Sequence, residues 1–141
     1  MTHKLYLGLG SNLGDREANI RRALTLIDER LGSVYRVSSF IETEPVGFCS
    51  NHRFINAVCL VHTMMSPISC LRETQKIEQE LGRIQKSICT DGTLQHFDRT
   101  IDIDLLIYDD LITNTPELTL PHPRMKERDF VMLPLEEIRL G

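Results

Sequence analysis

The sequence predicts an α+β fold, a ferredoxin-like βαββαβ sandwich, and three observations lead there. Apolar residues alternate at period two in several short stretches, as in strands. Two longer stretches carry apolar residues at helical spacing. Glycine, proline and small polar residues separate them in the order strand, helix, strand, strand, helix, strand. Additional short strands and a C-terminal helical segment follow.

Residues 4–9 alternate and are rich in Leu and Tyr, which reads as the first strand. Residues 10–15 read as a loop, and Asp15 can cap a helix from Arg16 to about Leu31. Ile20, Ala23, Leu24, Ile27 and Leu31 give that helix one apolar face, and Gly32 is expected to end it. Residues 34–41 are β-branched and aromatic enough for a second strand. Residues 43–53 form a loop broken by Pro45, Gly47, Ser50 and Asn51, and residues 54–61 read as a third strand. Ser66 and Pro67 look like an N-cap followed by proline at the first helical position. This second helix is expected to run to about Leu81, with Ile68, Leu71, Thr74, Ile77 and Leu81 inward and Gly82 as its stop.

Residues 86–97 are polar and without a clear period, so they are expected to form a long surface loop. Residues 101–108 form a strand whose first half alternates and whose second half is apolar throughout. Leu111-Ile112 and residues 118–120 are short strand candidates. Residues 128–138 carry Phe130, Val131, Leu133 and Leu135, and Pro134 predicts a short or broken helix there. With 141 residues and no repeat or linker, residues 1–141 are expected to form one domain.

Composition narrows the function. The formal net charge is −4, and no basic stripe or RNP-like aromatic strand stands out, so a nucleic-acid partner is not expected. Arg and Lys are nonetheless locally dense between Arg83 and Arg128, which suits a small anionic ligand. No apolar run approaches the ~20 residues of a membrane span. There is no signal-peptide pattern, so the expected location is cytoplasmic, with no membrane partner. The four cysteines, Cys49, Cys59, Cys70 and Cys89, form no C-x-x-C pair and read as reduced thiols. Neither Cys49 with His52 nor Cys89 with His96 matches a standard zinc spacing.

The strongest chemical signal is the block Asp98-Arg99-Thr100-Ile101-Asp102-Ile103-Asp104. Along a strand, residues i and i+2 share a face, which puts the Asp102 and Asp104 Cα atoms ~6.5–7 Å apart on one side. Ile101, Ile103 and Leu105 take the other side. Two carboxylates on one rigid strand can hold magnesium above a polyphosphate, because Mg²⁺ takes one or two carboxylates plus phosphate oxygens. Aspartates are also poor strand formers, so two of them inside an apolar segment invite a functional account. The bland account is a solvated strand face.

Other candidates are weaker alone. Gly8, Gly10 and Gly14 follow a strand and precede a helix, but G-x-G-x-x-x-G is one residue too long for a dinucleotide fingerprint. A tight strand-to-helix turn, with Asn12 bonding locally, explains it as well. Arg83, Lys86, Arg99, Arg124, Lys126 and Arg128 are candidate phosphate ligands, or ordinary surface charges. Gln75 and Glu78 share a helix face beside the apolar stripe and also fit a polar flank. His122, between Pro121 and Pro123, is either a fixed donor to phosphate, a stacking partner for a base, or a plain loop histidine.

Six motifs in order nevertheless resemble one family. They are Leu9-Gly10-Ser11-Asn12-Leu13-Gly14-Asp15, Val37-Ser38-Ser39-Phe40 with Thr43-Glu44-Pro45-Val46-Gly47, Phe54-Ile55-Asn56-Ala57, Gln75-x-x-Glu78 with Leu81-Gly82-Arg83, the Asp98–Leu106 block, and Pro121-His122-Pro123-Arg124-Met125 with Arg128-Asp129-Phe130-Val131. Together they resemble the 6-hydroxymethyl-7,8-dihydropterin pyrophosphokinases of folate biosynthesis, which move diphosphate from ATP to a pterin alcohol and release AMP. The resemblance implies two Mg²⁺ ions on Asp102 and Asp104, with ATP as co-substrate. It implies that Arg83 and Arg99 stabilise the transferring diphosphate. Gln75, Glu78, Lys86, Thr119, His122 and Arg128 would contact ATP. Thr43, Pro45, Val46, Phe54, Asn56 and Phe130 would frame the pterin, with the two phenylalanines suited to stacking on a flat heterocycle and Asn56 to its polar edge.

This chain departs from the family in having Gln85 where a second arginine is frequent, a longer segment over residues 87–97 without Trp, and an end soon after Pro134-Leu135-Glu136-Glu137-Ile138. No general base stands out. A monomer, or at most a weak dimer, is expected. The competing readings are another magnesium-dependent phosphohydrolase, or a noncatalytic ferredoxin-like binding module.

Overall fold

A computed structural model describes residues 2–43, 53–82 and 100–139. Its elements are β1 (His3–Ser11), α1 (Arg16–Arg30), β2 (Gly32–Val37), β3 (Ile41–Thr43), β4 (Phe54–Thr63), α2 (Pro67–Glu80), β5 (Asp102–Tyr108), β6 (Thr113–Asn114), β7 (Thr119–Leu120) and α3 (Asp129–Ile138). A single 3-10 turn, Met125–Glu127, leads into α3. The architecture is mixed α/β, an antiparallel sheet with three α-helices among the described residues. Sheet order is β2-β4-β1-β5, with β3 paired to the start of β4, and β6 and β7 form a separate two-stranded ribbon.

Strand alternation divides the apolar residues between two layers. Leu5, Leu7 and Leu9 of β1, Ala57, Cys59 and Val61 of β4, and Ile103 and Leu105 of β5 pack with Ile20, Ala23 and Ile27 of α1 and with Cys70 and Ile77 of α2. On the other side, Tyr6, Val58, Leu60 and Leu106 pack against Met125 and against Val131, Leu135 and Ile138 of α3. At the register shift between Tyr6 and Leu7 in the β1–β5 ladder, Leu106 and Ile107 both pack in the α3 layer before Tyr108 returns to the two-helix layer. Leu105 faces the two-helix layer and Leu106 the α3 layer, so no position there is left for a polar residue.

The helices begin where the sequence says. Asp15 accepts from the Ala18 amide at 3.1 Å, and Ser66 from Ser69 at 3.2 Å, with Pro67 in the first turn of α2. Gly82, at φ +100°, follows α2 as a left-handed stop. Gly32 works differently from the expectation. It opens β2, and a Cβ there would lie 2.1 Å from the His62 carbonyl oxygen, so glycine is required by close strand approach.

Other boundaries also differ. β1 runs through Gly10 and Ser11, which the sequence reading assigned to a loop. The following turn is held by Asn19, whose Nδ2 donates to Ser11 Oγ at 3.2 Å and to the Leu13 carbonyl at 2.8 Å. The expected strand over residues 34–41 is split into β2 and β3. Between them, the Ser38 amide donates to the Val58 carbonyl at 2.8 Å and Ser38 Oγ accepts from the Val58 amide at 2.9 Å. Leu111 and Ile112 are exposed and belong to no strand, and β6 starts one residue later. Pro134 lies buried inside α3, which is short, ten residues, as expected, and is not broken there. The expected loop over residues 86–97 lies outside the described residues.

Candidate active site

The sheet face toward α3 is apolar only at one end. At the other, the central strand carries glycine. In the antiparallel ladders, Asp102 lies opposite Gly10 and Asp104 opposite Gly8, while Gly10 lies opposite Asn56 on the far side of β1. Asp102 and Asp104 share their face with Leu106, and Asn56 shares its face with Val58 and Leu60. One row across three strands therefore reads Asp102, Gly10, Asn56. The absence of a side chain at Gly10 matters, since a Cβ there would come 2.9 Å from Asn56 Oδ1 and 3.3 Å from Phe54 Cδ1. The sequence reading put Gly8 in the first strand and Gly10 in the loop after it, with a strand-to-helix turn as one account of the glycine pattern. The place of Gly10 within the strand was the missed signal, and the Leu/Gly alternation from Leu7 to Gly10 is the pattern that carries it.

Phe54 and Asn56 are nearly buried. Asn56 Nδ2 lies 2.6 Å from Thr43 Oγ1, so β3 orients the amide. The approaches to both strands are tied to α1. Arg16 Nη1 pairs with Glu42 at 2.9 Å and donates to the Arg53 carbonyl at 3.0 Å.

His122 is half-buried beside the aspartate strand. Its amide donates to the Leu106 carbonyl at 2.9 Å, and its Nδ1 accepts from the Arg124 amide at 3.2 Å. An accepting Nδ1 leaves the neutral ring with its proton on Nε2. Burial holds the imidazole below its ordinary range. The neighbouring positive charge of Arg128 acts the same way, and the Asp102 carboxylate pulls against both. Arg128 in turn sits over the Phe130 ring, 5.6 Å from its centroid, at the start of α3.

The structure thus gathers Thr43, Phe54, Asn56, Asp102 and Asp104 on adjoining strands, and sets His122 within electrostatic reach of Asp102 and Arg128. Thr119 opens β7, where its hydroxyl donates to Asn114 at 3.2 Å. Gln75 and Glu78 do not share an environment. Gln75 is exposed, whereas Glu78 is buried and its Oε2 accepts from the Ile103 amide at 2.7 Å. Helix α2 is rotated so that Cys70, Thr74, Ile77 and Glu78 face inward, with Ile68, Leu71 and Leu81 only partly buried. Pro45, Val46, Arg83, Lys86, Arg99 and Asp98 lie outside the described residues.

Among the described residues, the thiols lie away from this geometry. Cys59 and Cys70 are free and packed in the two-helix layer, where burial pushes Cys59 up to about 12.

Comparison with known proteins agrees with the motif order. The model of a family described as 7,8-dihydro-6-hydroxymethylpterin-pyrophosphokinase (HPPK) matches residues 6–140. The 2-amino-4-hydroxy-6-hydroxymethyldihydropteridine pyrophosphokinase of Porphyromonas gingivalis is 47% identical over 135 residues, 95% of this chain and 89% of that protein. The protein of the same name in Bacillus subtilis is 40% identical over 139 residues, 98% of this chain and 79% of that one. Among solved structures, wild-type Plasmodium falciparum HPPK-DHPS superposes with a TM-score of 0.76 over 97% of this chain, at 14% identity. This chain spans only 41% of that one, and the likeness concerns the fold. With the family model matched along nearly its whole length, the chain belongs to the 7,8-dihydro-6-hydroxymethylpterin-pyrophosphokinase family.

Proposed function

We propose that this chain transfers diphosphate from ATP to the hydroxymethyl group of 6-hydroxymethyl-7,8-dihydropterin and releases AMP, a step of folate biosynthesis. The observation that carries this reading is the row Asp102, Gly10, Asn56 with Asp104 and Phe54 beside it. It sets two carboxylates and an aromatic–amide pair on opposite sides of a strand that has no side chains in between. One side suits a metal-bound polyphosphate and the other a flat heterocycle with a polar edge.

The donor set fits Mg²⁺. Among the described residues no group of three or more His, Cys, Asp or Glu side chains converges. In this reading two carboxylates are the protein's share, with phosphate oxygens and water completing the shell. In this reading Asp102 and Asp104 hold two Mg²⁺ ions. Magnesium, when bound, would neutralise phosphate charge and hold the polyphosphate for in-line displacement.

The remaining work falls to the chain itself. Asn56, oriented by Thr43, and Phe54 with Phe130 fix the pterin so that its hydroxymethyl oxygen faces the β-phosphorus of ATP. Pro45 and Val46 complete that frame. His122 donates to phosphate from Nε2 as a neutral ring, and Arg128 and Lys86 add positive charge. Thr119 and Gln75 contact the nucleotide. Arg83 and Arg99 stabilise the charge that develops on the transferring diphosphate. The sequence resemblance supports these last assignments.

The strand order β2-β4-β1-β5 with two helices on one face supports a ferredoxin-like sandwich over one domain, residues 1–141. No helix among the described residues is long and apolar enough to cross a membrane. A cytoplasmic monomer is the state we propose, and light scattering on the purified protein tests the monomer. For the activity, the test is to incubate the protein with ATP, Mg²⁺ and 6-hydroxymethyl-7,8-dihydropterin and to follow AMP. AMP that appears only with pterin is the expected result. Phosphate release without pterin would favour a phosphohydrolase, and no AMP at all would end the reading.

A further inference from the structure

Among the described residues, strand β5 is an edge of the main sheet, so alternate backbone amides along its outer side have no strand partner there. The Ile103 amide is one of them, and it is the middle residue of Asp102-Ile103-Asp104. A carboxyl group reaches it from another element: Glu78 Oε2, from α2, accepts at 2.7 Å in a buried hydrogen bond. Glu78 is only 8% exposed, a rare condition for glutamate unless its carboxyl group is engaged. The Ile103 side chain is also packed against α2's layer, so side chain and amide fix the same residue.

From this geometry we infer that Glu78 is a positioning residue for the metal-binding aspartates, holding β5 at the residue between them. The inference rests on the proposed role of Asp102 and Asp104, and it moves Glu78 from a nucleotide contact to a support of the strand. The physical argument is that carboxylates on an edge strand, tied on one side only, would sample a range of spacings. A buried acceptor on the open side removes that freedom before metal and nucleotide arrive. Because the bond runs to backbone, it is independent of the side chain at residue 103. It requires an acceptor of the right length at residue 78, which glutamine keeps and alanine lacks.

The test compares Glu78→Ala and Glu78→Gln with the unmodified chain. The first measurement is amide exchange at Ile103 by NMR in metal-free protein, with the Leu7 amide as a control for global stability. Alanine should lower protection at Ile103 while Leu7 keeps its own, and glutamine should restore most of it. The second is Mg²⁺ dependence of AMP formation at saturating ATP and pterin. Alanine should raise the half-saturating Mg²⁺ concentration or lower kcat by roughly 10–100-fold, the range for residues that support metal ligands. Glutamine should stay close to the unmodified chain. The inference is overturned if alanine leaves Ile103 protection and Mg²⁺ dependence unchanged, or if it raises only the KM for ATP, as a direct nucleotide contact would. Normal Mg²⁺ dependence in Asp102→Asn would overturn it by a separate route, through failure of the metal assignment itself.

Discussion

The two faces of β1 are built from one alternating sequence and serve opposite ends. Toward α1 and α2 the strand presents Leu5, Leu7 and Leu9, all essentially inaccessible. Toward α3 it presents Tyr6 and then Gly8 and Gly10. The first face gains stability from continuous apolar contact. The second has no side chains at Gly8 and Gly10, and Leu106 comes over the first while Asn56 and Phe54 come over the second. Glycine in a strand interior weakens it. In this strand the loss is offset by pairing on both sides, since β1 lies between β4 and β5. The contrast teaches that a site can be set into a sheet when a central strand has one dense face.

Substitutions on each face should separate stability from activity. The largest effect is expected for Leu7→Ala, which leaves a cavity in the two-helix layer and should cost about 2–5 kcal/mol in urea unfolding. Turnover per folded molecule should change little. A large loss of turnover in the folded fraction would mean the two faces are not separable. Asp104→Asn should do the reverse, with AMP formation falling by roughly 100-fold or more and the urea midpoint close to the original. Near-normal turnover would remove Asp104 from the metal role.

Gly10→Ala tests the row itself. The new methyl would meet Asn56 and Phe54, so overpacking of about 1–3 kcal/mol and a raised KM for pterin are expected. Gly8→Ala should be milder, because the nearest atoms its Cβ would meet are on the Leu106 side chain, at an ordinary 3.5 Å. Equal destabilisation by the two would show that loss of strand flexibility, rather than contact with Asn56, governs both.

The smallest effect concerns pH. His122 is held below its ordinary value of 6.5 in the folded protein. The unfolded chain therefore binds the proton more readily, so His122 contributes stability above pH 6.5 that is lost as pH falls through the lower folded value. A His122→Gln variant should show a flatter fall of Tm on acidification from that point. An unchanged profile would place the imidazole in a more solvated setting than the structure gives it.

Much of this was legible before the structure. Asp15 and Ser66 cap their helices as read, since an N-cap acts on amides within its own turn. The aspartates fall on one strand face as read, since period two is a property of the strand alone. Legibility failed where a residue's meaning depends on a distant partner. Gly32 looked like a helix stop and is a close approach to His62. Glu78 looked like half of a polar pair with Gln75 and is a backbone acceptor for Ile103, 25 residues away. Pro134 left a short or a broken helix open, and only the packed structure shows that α3 is the short one, unbroken over its ten residues.

By itself, then, the sequence determined the element order, the caps, the shared face of Asp102 and Asp104, and the family, because all of these rest on local periodicity or on motifs in order. Tertiary structure alone decided that Gly8 and Gly10 lie opposite those aspartates, that Thr43 orients Asn56, and that Glu78 holds Ile103. Register between strands and rotation of a helix about its axis arise from packing the whole core at once, and no short window of sequence contains them.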